Sequence, residues 1–197
     1  LKRRVVEGWR ERVLAHCAKN PLTPALPPPR DAAAIWLCYG TTLLAALATP
    51  EELIYLQLGD GELLLVSPAG QVQRPWPRDP RWLGGATTSL CMEEACREMR
   101  CARQPLGRGG PAMVLLATDG YANAFRTERG FLRVGRDILS LVRAQGIRAV
   151  EQELAAWLEE ASRLGSGDDA TLAWLYRSPA SAHGALGAPG AQAAAAE

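Results

Sequence analysis

The chain has 197 residues, of which 48% are hydrophobic and 22% charged, the balance of one soluble globular domain with a sizeable core. Its 22 Lys and Arg nearly cancel 21 Asp and Glu, leaving a net charge of +1, so no global field exists to attract nucleic acid or an anionic membrane. No apolar run approaches the roughly 20 residues needed to span a bilayer, and the basic start Leu1-Lys2-Arg3-Arg4 is not a signal peptide. The five cysteines, Cys17, Cys38, Cys91, Cys96 and Cys101, form no Cys-x-x-Cys pair, and only His16 and His183 could join them. That excludes a zinc site by spacing, and the odd count points to a reducing compartment, the cytoplasm.

In chain order, Val5, Val6, Trp9, Val13, Leu14 and Cys17 recur at helical steps and predict an amphipathic helix over about residues 4–18. Asn20-Pro21 stops it, and Pro24, Pro27, Pro28 and Pro29 make a loop. Four short apolar runs follow and read as strands: Ala32–Cys38, Leu43–Ala48, Leu53–Leu58 and Glu62–Ser67. Gly59-Asp60-Gly61 reads as a hairpin turn between the last two. Successive strands joined this way predict an antiparallel sheet.

Residues 71–112 are broken by proline and glycine, with a short helix expected over Met92–Arg100. Met113–Ala117 is a continuous apolar run, hence a buried strand. Asp137–Ala144 reads as helix, and Val150–Leu164 as a second amphipathic helix capped by Gly165. A last strand, Ala170–Tyr176, precedes an Ala/Gly/Pro tail over 178–197 that predicts disorder.

Three acidic turns stand at strand ends: Asp60 in Leu-Gly-Asp-Gly, Asp119 in Ala-Thr-Asp-Gly, and Asp168-Asp169 before Ala-Thr-Leu-Ala. Carboxylates that converge repel one another unless a cation neutralises them. Oxygen-only ligands favour a hard ion, Mg²⁺ or Mn²⁺. Asp-Gly by itself also makes good turns, so each pair alone says little.

The blocks Tyr39-Gly40-Thr41-Thr42-Leu43, Gly59-Asp60-Gly61, Leu116-Ala117-Thr118-Asp119-Gly120 and Gly167-Asp168-Asp169-Ala170-Thr171-Leu172 occur in an order that resembles the PPM-type phosphatases, the metal-dependent protein phosphatases of the type 2C class. The run from Leu83 to Leu90 further resembles a bacterial subgroup. The resemblance spans residues 1–177 and implies a four-layer α-β-β-α sandwich with two antiparallel sheets. It also implies two divalent ions, Mn²⁺ or Mg²⁺, holding a bridging water that attacks a phosphoserine or phosphothreonine of a protein substrate. A cognate Ser/Thr kinase is the implied counterpart, with no nucleic acid or membrane partner.

By position, the resemblance makes Asp119 and Asp168 ligands of one metal and Asp169 a neighbour. Asp60 matches the aspartate linked in some members to a third, weaker metal. Asn123 falls where many members carry another acid, and its amide lacks the charge that site needs. The family's opening block, with an acid and an Asp-Gly that bridges both metals, has no match in residues 1–38. The chain, which starts at Leu1, is therefore expected to begin about a third of the way into a domain, without its catalytic block and inactive alone. Two other readings stand beside the enzyme: a non-catalytic PPM-like module that binds a phosphoprotein, and an unrelated β-sandwich whose acidic turns lie at different ends.

Overall fold

The computed structural model describes residues 1–20, 31–84, 87–107 and 109–178. The proline loop expected at 21–30 lies outside the described residues, as does the expected tail from residue 179 onward.

Helix α1 runs Lys2–Lys19 and buries Val6 and Val13. The first of the four expected strands is instead a helix, α2 (Ala32–Cys38), which Asp31 caps by accepting the Ala34 N–H at 2.8 Å. An apolar run without alternation suits a helix as well as a strand, and here the cap decides. The three other runs are β1 (Leu43–Ala48), β2 (Glu52–Leu58) and β3 (Glu62–Val66). A short β4 (Val72–Gln73), α3 (Ala95–Glu98) and β5 (Arg100–Pro105) follow. The chain continues through β6 (Met113–Ala117), α4 (Asp119–Asn123), α5 (Glu128–Gln145) and α6 (Ile147–Glu160), then a π-helical turn and β7 (Leu172–Tyr176).

The strands form two antiparallel sheets, β1-β2-β5 and β4-β3-β6-β7. Strands β2 and β3 therefore do not pair, and Gly59-Asp60-Gly61 is a crossover between sheets rather than a hairpin turn. Gly59 turns with φ 97°, as the local signal requires, but the turn delivers the chain to the second sheet instead of back onto β2.

Alternation along β3 shows the layering. Leu63 and Leu65 face the other sheet and pack with Leu53, Tyr55 and Val114. Leu64 and Val66 face outward and join Met113, Leu115, Phe131, Leu139 and Val150 beneath α5 and α6. On the far side, Leu56 and Leu58 pack with Val6 of α1, Ala95 of α3 and Met99 just after it. The result is the helix–sheet–sheet–helix order that the family resemblance implies. Among the described residues, no helix is long and apolar enough to cross a membrane.

Candidate metal centre

Register places the acidic turns together. In the antiparallel sheet Glu62 pairs with Ala117, and Ala117 pairs with Leu172. The start of β3, the end of β6 and the start of β7 thus share one end, and each carries an acidic turn just beyond it. This arrangement removes the reading in which those turns lie at different ends.

Asp119 opens α4 directly after β6, and Asp168 lies in the loop before β7. Thr118 joins the two. Its N–H donates to the Thr171 carbonyl at 3.1 Å, its hydroxyl accepts the Thr171 N–H at 2.9 Å, and that hydroxyl donates to the Asp169 carbonyl at 3.3 Å. Gly120 makes the approach sterically possible. A methyl group there would lie 2.3 Å from the Asp169 carbonyl oxygen and 3.3 Å from the Asp168 Cβ. Asp168 is held from its own side as well: its N–H donates to Ser166 Oγ at 3.2 Å, and its Oδ1 accepts the Asp169 N–H at 2.8 Å. Asp169 thus supports the Asp168 carboxylate through its backbone.

The Asp60 turn is set from the other sheet. The Gly59 N–H donates to the buried Thr88 hydroxyl at 2.8 Å, and Gln57 Nε2 donates to the Gly61 carbonyl at 2.6 Å. A methyl group on Gly61 would sit 3.1 Å from the Ala117 carbonyl oxygen, so the turn abuts the strand that leads into Asp119. Thr42, from the first sequence block, packs against Gly59. Asn123 is one helical turn after Asp119, on the same side of α4, and is exposed.

Thr88, Gln57 and Ser166 have no part in the sequence reading of the site, and Thr118 enters it only as a member of the Leu116–Gly120 block. A threonine between strand and aspartate is a common N-cap signal, but here its hydroxyl ties two loops and caps nothing. Only Thr118 had a local clue; the roles of the others depend on contacts made in the fold.

Behind the Asp60 turn stands an ion-pair cluster. Glu62 is 3% exposed and accepts Arg74 Nε at 2.5 Å, Arg74 Nη2 at 3.2 Å and Arg78 Nε at 2.7 Å. Arg74 also pairs with Glu128 at the start of α5. Burial works against the Arg74 charge, but hydrogen bonds and the fields of Glu62 and Glu128 raise its pKa above the ordinary value. Asp79 is held down to about 2, chiefly by hydrogen bonds from the Arg81 side chain and backbone N–H. Arg81 also pairs with Glu98. Arg74 thus ties the 72–82 segment to β3 and α5, and Arg81 ties it to Glu98 of α3.

The sequence model of protein phosphatase 2C matches residues 2–159. The chain belongs to the protein phosphatase 2C family. Among curated proteins none is significantly similar. Of the solved structures, a bacterial serine phosphatase is similar at 13% identity and a TM-score of 0.53, over 86% of this chain and 65% of that one. A C. elegans sex-determining protein is similar at 15% identity and a TM-score of 0.50, over 88% of this chain and 52% of that one. The catalytic domain of the serine/threonine phosphatase PstP, a complex with two manganese ions, has a TM-score of 0.48 at 18% identity, over 87% of this chain and 79% of that one. At such identities the likeness is one of fold. The chain spans less than two thirds of the bacterial serine phosphatase and about half of the C. elegans protein.

Phosphatases of this family use metal ions. The donors gathered at this end are carboxylates, the right chemistry for one hard ion between Asp119 and Asp168. Among the described residues no group of three or more His, Cys, Asp or Glu is arranged to hold a metal. The donors among the described residues therefore fit one ion in part and do not fit a two-ion centre, and no bridging-water step follows from them.

Proposed function

We propose that this chain carries part of the metal site of a metal-dependent phosphatase acting on phosphoserine and phosphothreonine of proteins, and that these 197 residues are catalytically silent by themselves. The observation that supports this most is the contact between the Asp119 and Asp168 loops, in a chain whose family is that of protein phosphatase 2C. Asp119 and Asp168 would hold one divalent ion, Mn²⁺ or Mg²⁺, and Asp60 would lie beside it as a weaker third-site ligand. A bound metal supplies Lewis acidity that makes water a nucleophile at neutral pH. The chain's own contribution is orientation: Thr118 and Ser166 fix the two loops, and the Asp168 carboxylate is aimed by the Asp169 N–H. A second ion and the attack on phosphorus would need carboxylates from further polypeptide. The reading carries with it a phosphoprotein substrate, a cognate Ser/Thr kinase, a bacterial signalling role and a cytoplasmic setting.

The lack of a three-acid cluster among the described residues favours one other reading, a non-catalytic module that binds a phosphoprotein. Phosphate release from a phosphothreonine peptide separates the two. The 197-residue chain should stay at background in Mn²⁺. A natural polypeptide that contains this chain together with the missing carboxylates should be active, and Asp119→Asn within it should abolish turnover. Inactivity of that longer protein with both Mn²⁺ and Mg²⁺ would hand the lead to the binding module. Turnover by the 197-residue chain as fast as the longer one would refute the silence of the fragment.

A further inference from the structure

Helix α5 carries arginines that neither the core nor the acidic turns account for. Arg129, Arg133, Arg136 and Arg143 follow at steps of four, three and seven. With 3.6 residues per turn, these positions fall within about 80° of one another around the helix. All four are exposed, while the opposite side buries Phe131, Ile138, Leu139 and Val142 against the sheet. Beside the first three lies an open hollow of about 280 Å³, bounded by Gly70, Val72 and Leu132. Gly70 keeps it open: a side chain there would start 3.2 Å from Arg136 Cγ.

Among the described residues little neutralises this stripe. Glu128 is engaged by Arg74. Asp137 lies 3.2 Å from Arg133 and 3.7 Å from Arg136, with its side chain 51% exposed. Such exposed pairs contribute at most about 1 kcal/mol and exchange readily. Among the described residues Arg129 has no ion pair, and Arg143 spends one N–H on the Pro68 carbonyl at 2.9 Å. In a chain of net charge +1, four cations on one narrow face, against one nearby acid, is a local concentration.

We propose that this stripe docks an extended acidic polypeptide segment with carboxylates at alternate positions, seated over the hollow beside Arg129, Arg133 and Arg136. The spacing of the first pair and the length of the stripe support it. Arg129 and Arg133 are about 6 Å apart along the helix axis, and same-side residues of an extended chain are about 6.6–6.8 Å apart. From Arg129 to Arg143 the stripe runs about 21 Å, the length of six or seven extended residues. Arginine suits carboxylates because its planar fork donates two parallel N–H bonds to the two oxygens at once. Nucleic acid is less suited: the hollow has no aromatic ring for a base to stack on. A membrane is less suited too, since Leu132, the apolar side chain among the arginines, is half-buried. The inference does not depend on phosphatase activity.

The test is fluorescence anisotropy of a labelled heptapeptide with glutamate at alternate positions and serine between, titrated with the whole chain. Binding should weaken as salt is raised, since exposed charges are screened beyond about 10 Å at 0.1 M. The double substitution Arg129→Gln, Arg133→Gln should weaken it by about tenfold or more, the loss of two charge-assisted contacts. A control with the same charge change elsewhere, Arg3→Gln with Arg97→Gln, should change it by less than about twofold, since distant exposed charges are screened. If the first variant does not fold, Arg129→Gln with Arg136→Gln takes its place. Equal losses in stripe and control variants, binding no tighter than that of an all-serine peptide, or tighter binding of oligothymidine or of anionic phosphatidylserine vesicles would each overturn the proposal.

Discussion

Gly120→Ala should separate the two loops on which the metal site depends. The added methyl would meet the Asp169 carbonyl oxygen at 2.3 Å and its carbon at 3.1 Å. Ordinary carbon–oxygen contacts are about 3.3 Å or longer, so the loop must retreat by about 1 Å. The Thr118 hydroxyl contact to Asp169, already 3.3 Å, would then break. Overpacking of this kind costs about 1–3 kcal/mol, and a lost hydrogen bond about 1 kcal/mol more. A total near 3 kcal/mol lowers the melting temperature by roughly 6–12 °C in a chain of this size. Gly8→Ala is the control. Gly8 lies in α1 with nothing within 4 Å of its missing Cβ. Alanine there should raise stability by about 0.5–1 kcal/mol through helix propensity. Urea unfolding followed by circular dichroism reads both variants. A Gly120→Ala protein as stable as the parent would refute the claim that the Asp119 and Asp168 loops are pressed together.

Three further outcomes follow from the ion pairs and caps. Glu62→Gln should cost about 3 kcal/mol, near the low end for breaking a buried pair because Arg74 keeps Glu128 and the Arg78 side chain is 43% exposed; the urea midpoint measures it. Asp79 has its folded pKa lowered to about 2, so the stability it contributes is present above its unfolded value near 4 and is lost as pH falls from about 4 to about 2. Asp79→Asn should therefore flatten the acid limb of the stability profile in that window and change little of its slope near neutrality, as acid titration by circular dichroism will show. Thr127→Ala should cost about 1 kcal/mol, because the Thr127 hydroxyl accepts the Gly130 N–H at 3.1 Å and caps α5; thermal unfolding reads it.

Where residues carry their environment in their own pattern, the sequence was readable. The runs Met113–Ala117 and Leu53–Leu58 are buried strands because every position faces either the other sheet or a helix. Edge and junction elements were not readable. Strand β5, Arg-Cys-Ala-Arg-Gln-Pro, alternates between half-buried and exposed positions, and its polar residues pattern as loop. Its pairing with β2, from Gln57↔Arg100 to Glu52↔Pro105, supplies what propensity does not. Helix α5 begins at Glu128, nine residues before the expected Asp137; two glycines and three arginines obscure the apolar pattern of its first turns, and its start is marked by the Thr127 cap alone. Gly165 was expected to cap the preceding helix. The left-handed residue is Gly167, with φ 74°, and Gly165 instead lets Ala124 approach: a methyl on it would lie 2.5 Å from the Ala124 Cβ. The aspartates at strand ends were legible as a set. The threonine, serine and backbone groups that aim them were not, since their contacts come from distant parts of the chain.

The most direct measurement is a Mn²⁺ titration of the 197-residue chain, read by the electron paramagnetic resonance signal of free Mn²⁺. Two fixed carboxylates on otherwise water-filled coordination should bind one ion per chain weakly, with a dissociation constant on the order of 10⁻⁴–10⁻³ M. Asp119→Asn and Asp168→Asn should each abolish that binding. Neither should move the urea midpoint by more than about 0.5 kcal/mol equivalent, since the Asn oxygen at 168 can still accept the Asp169 N–H. Two tightly bound ions, or Mn²⁺ binding that survives both substitutions, would contradict the assignment of Asp119 and Asp168 as one half of a metal centre.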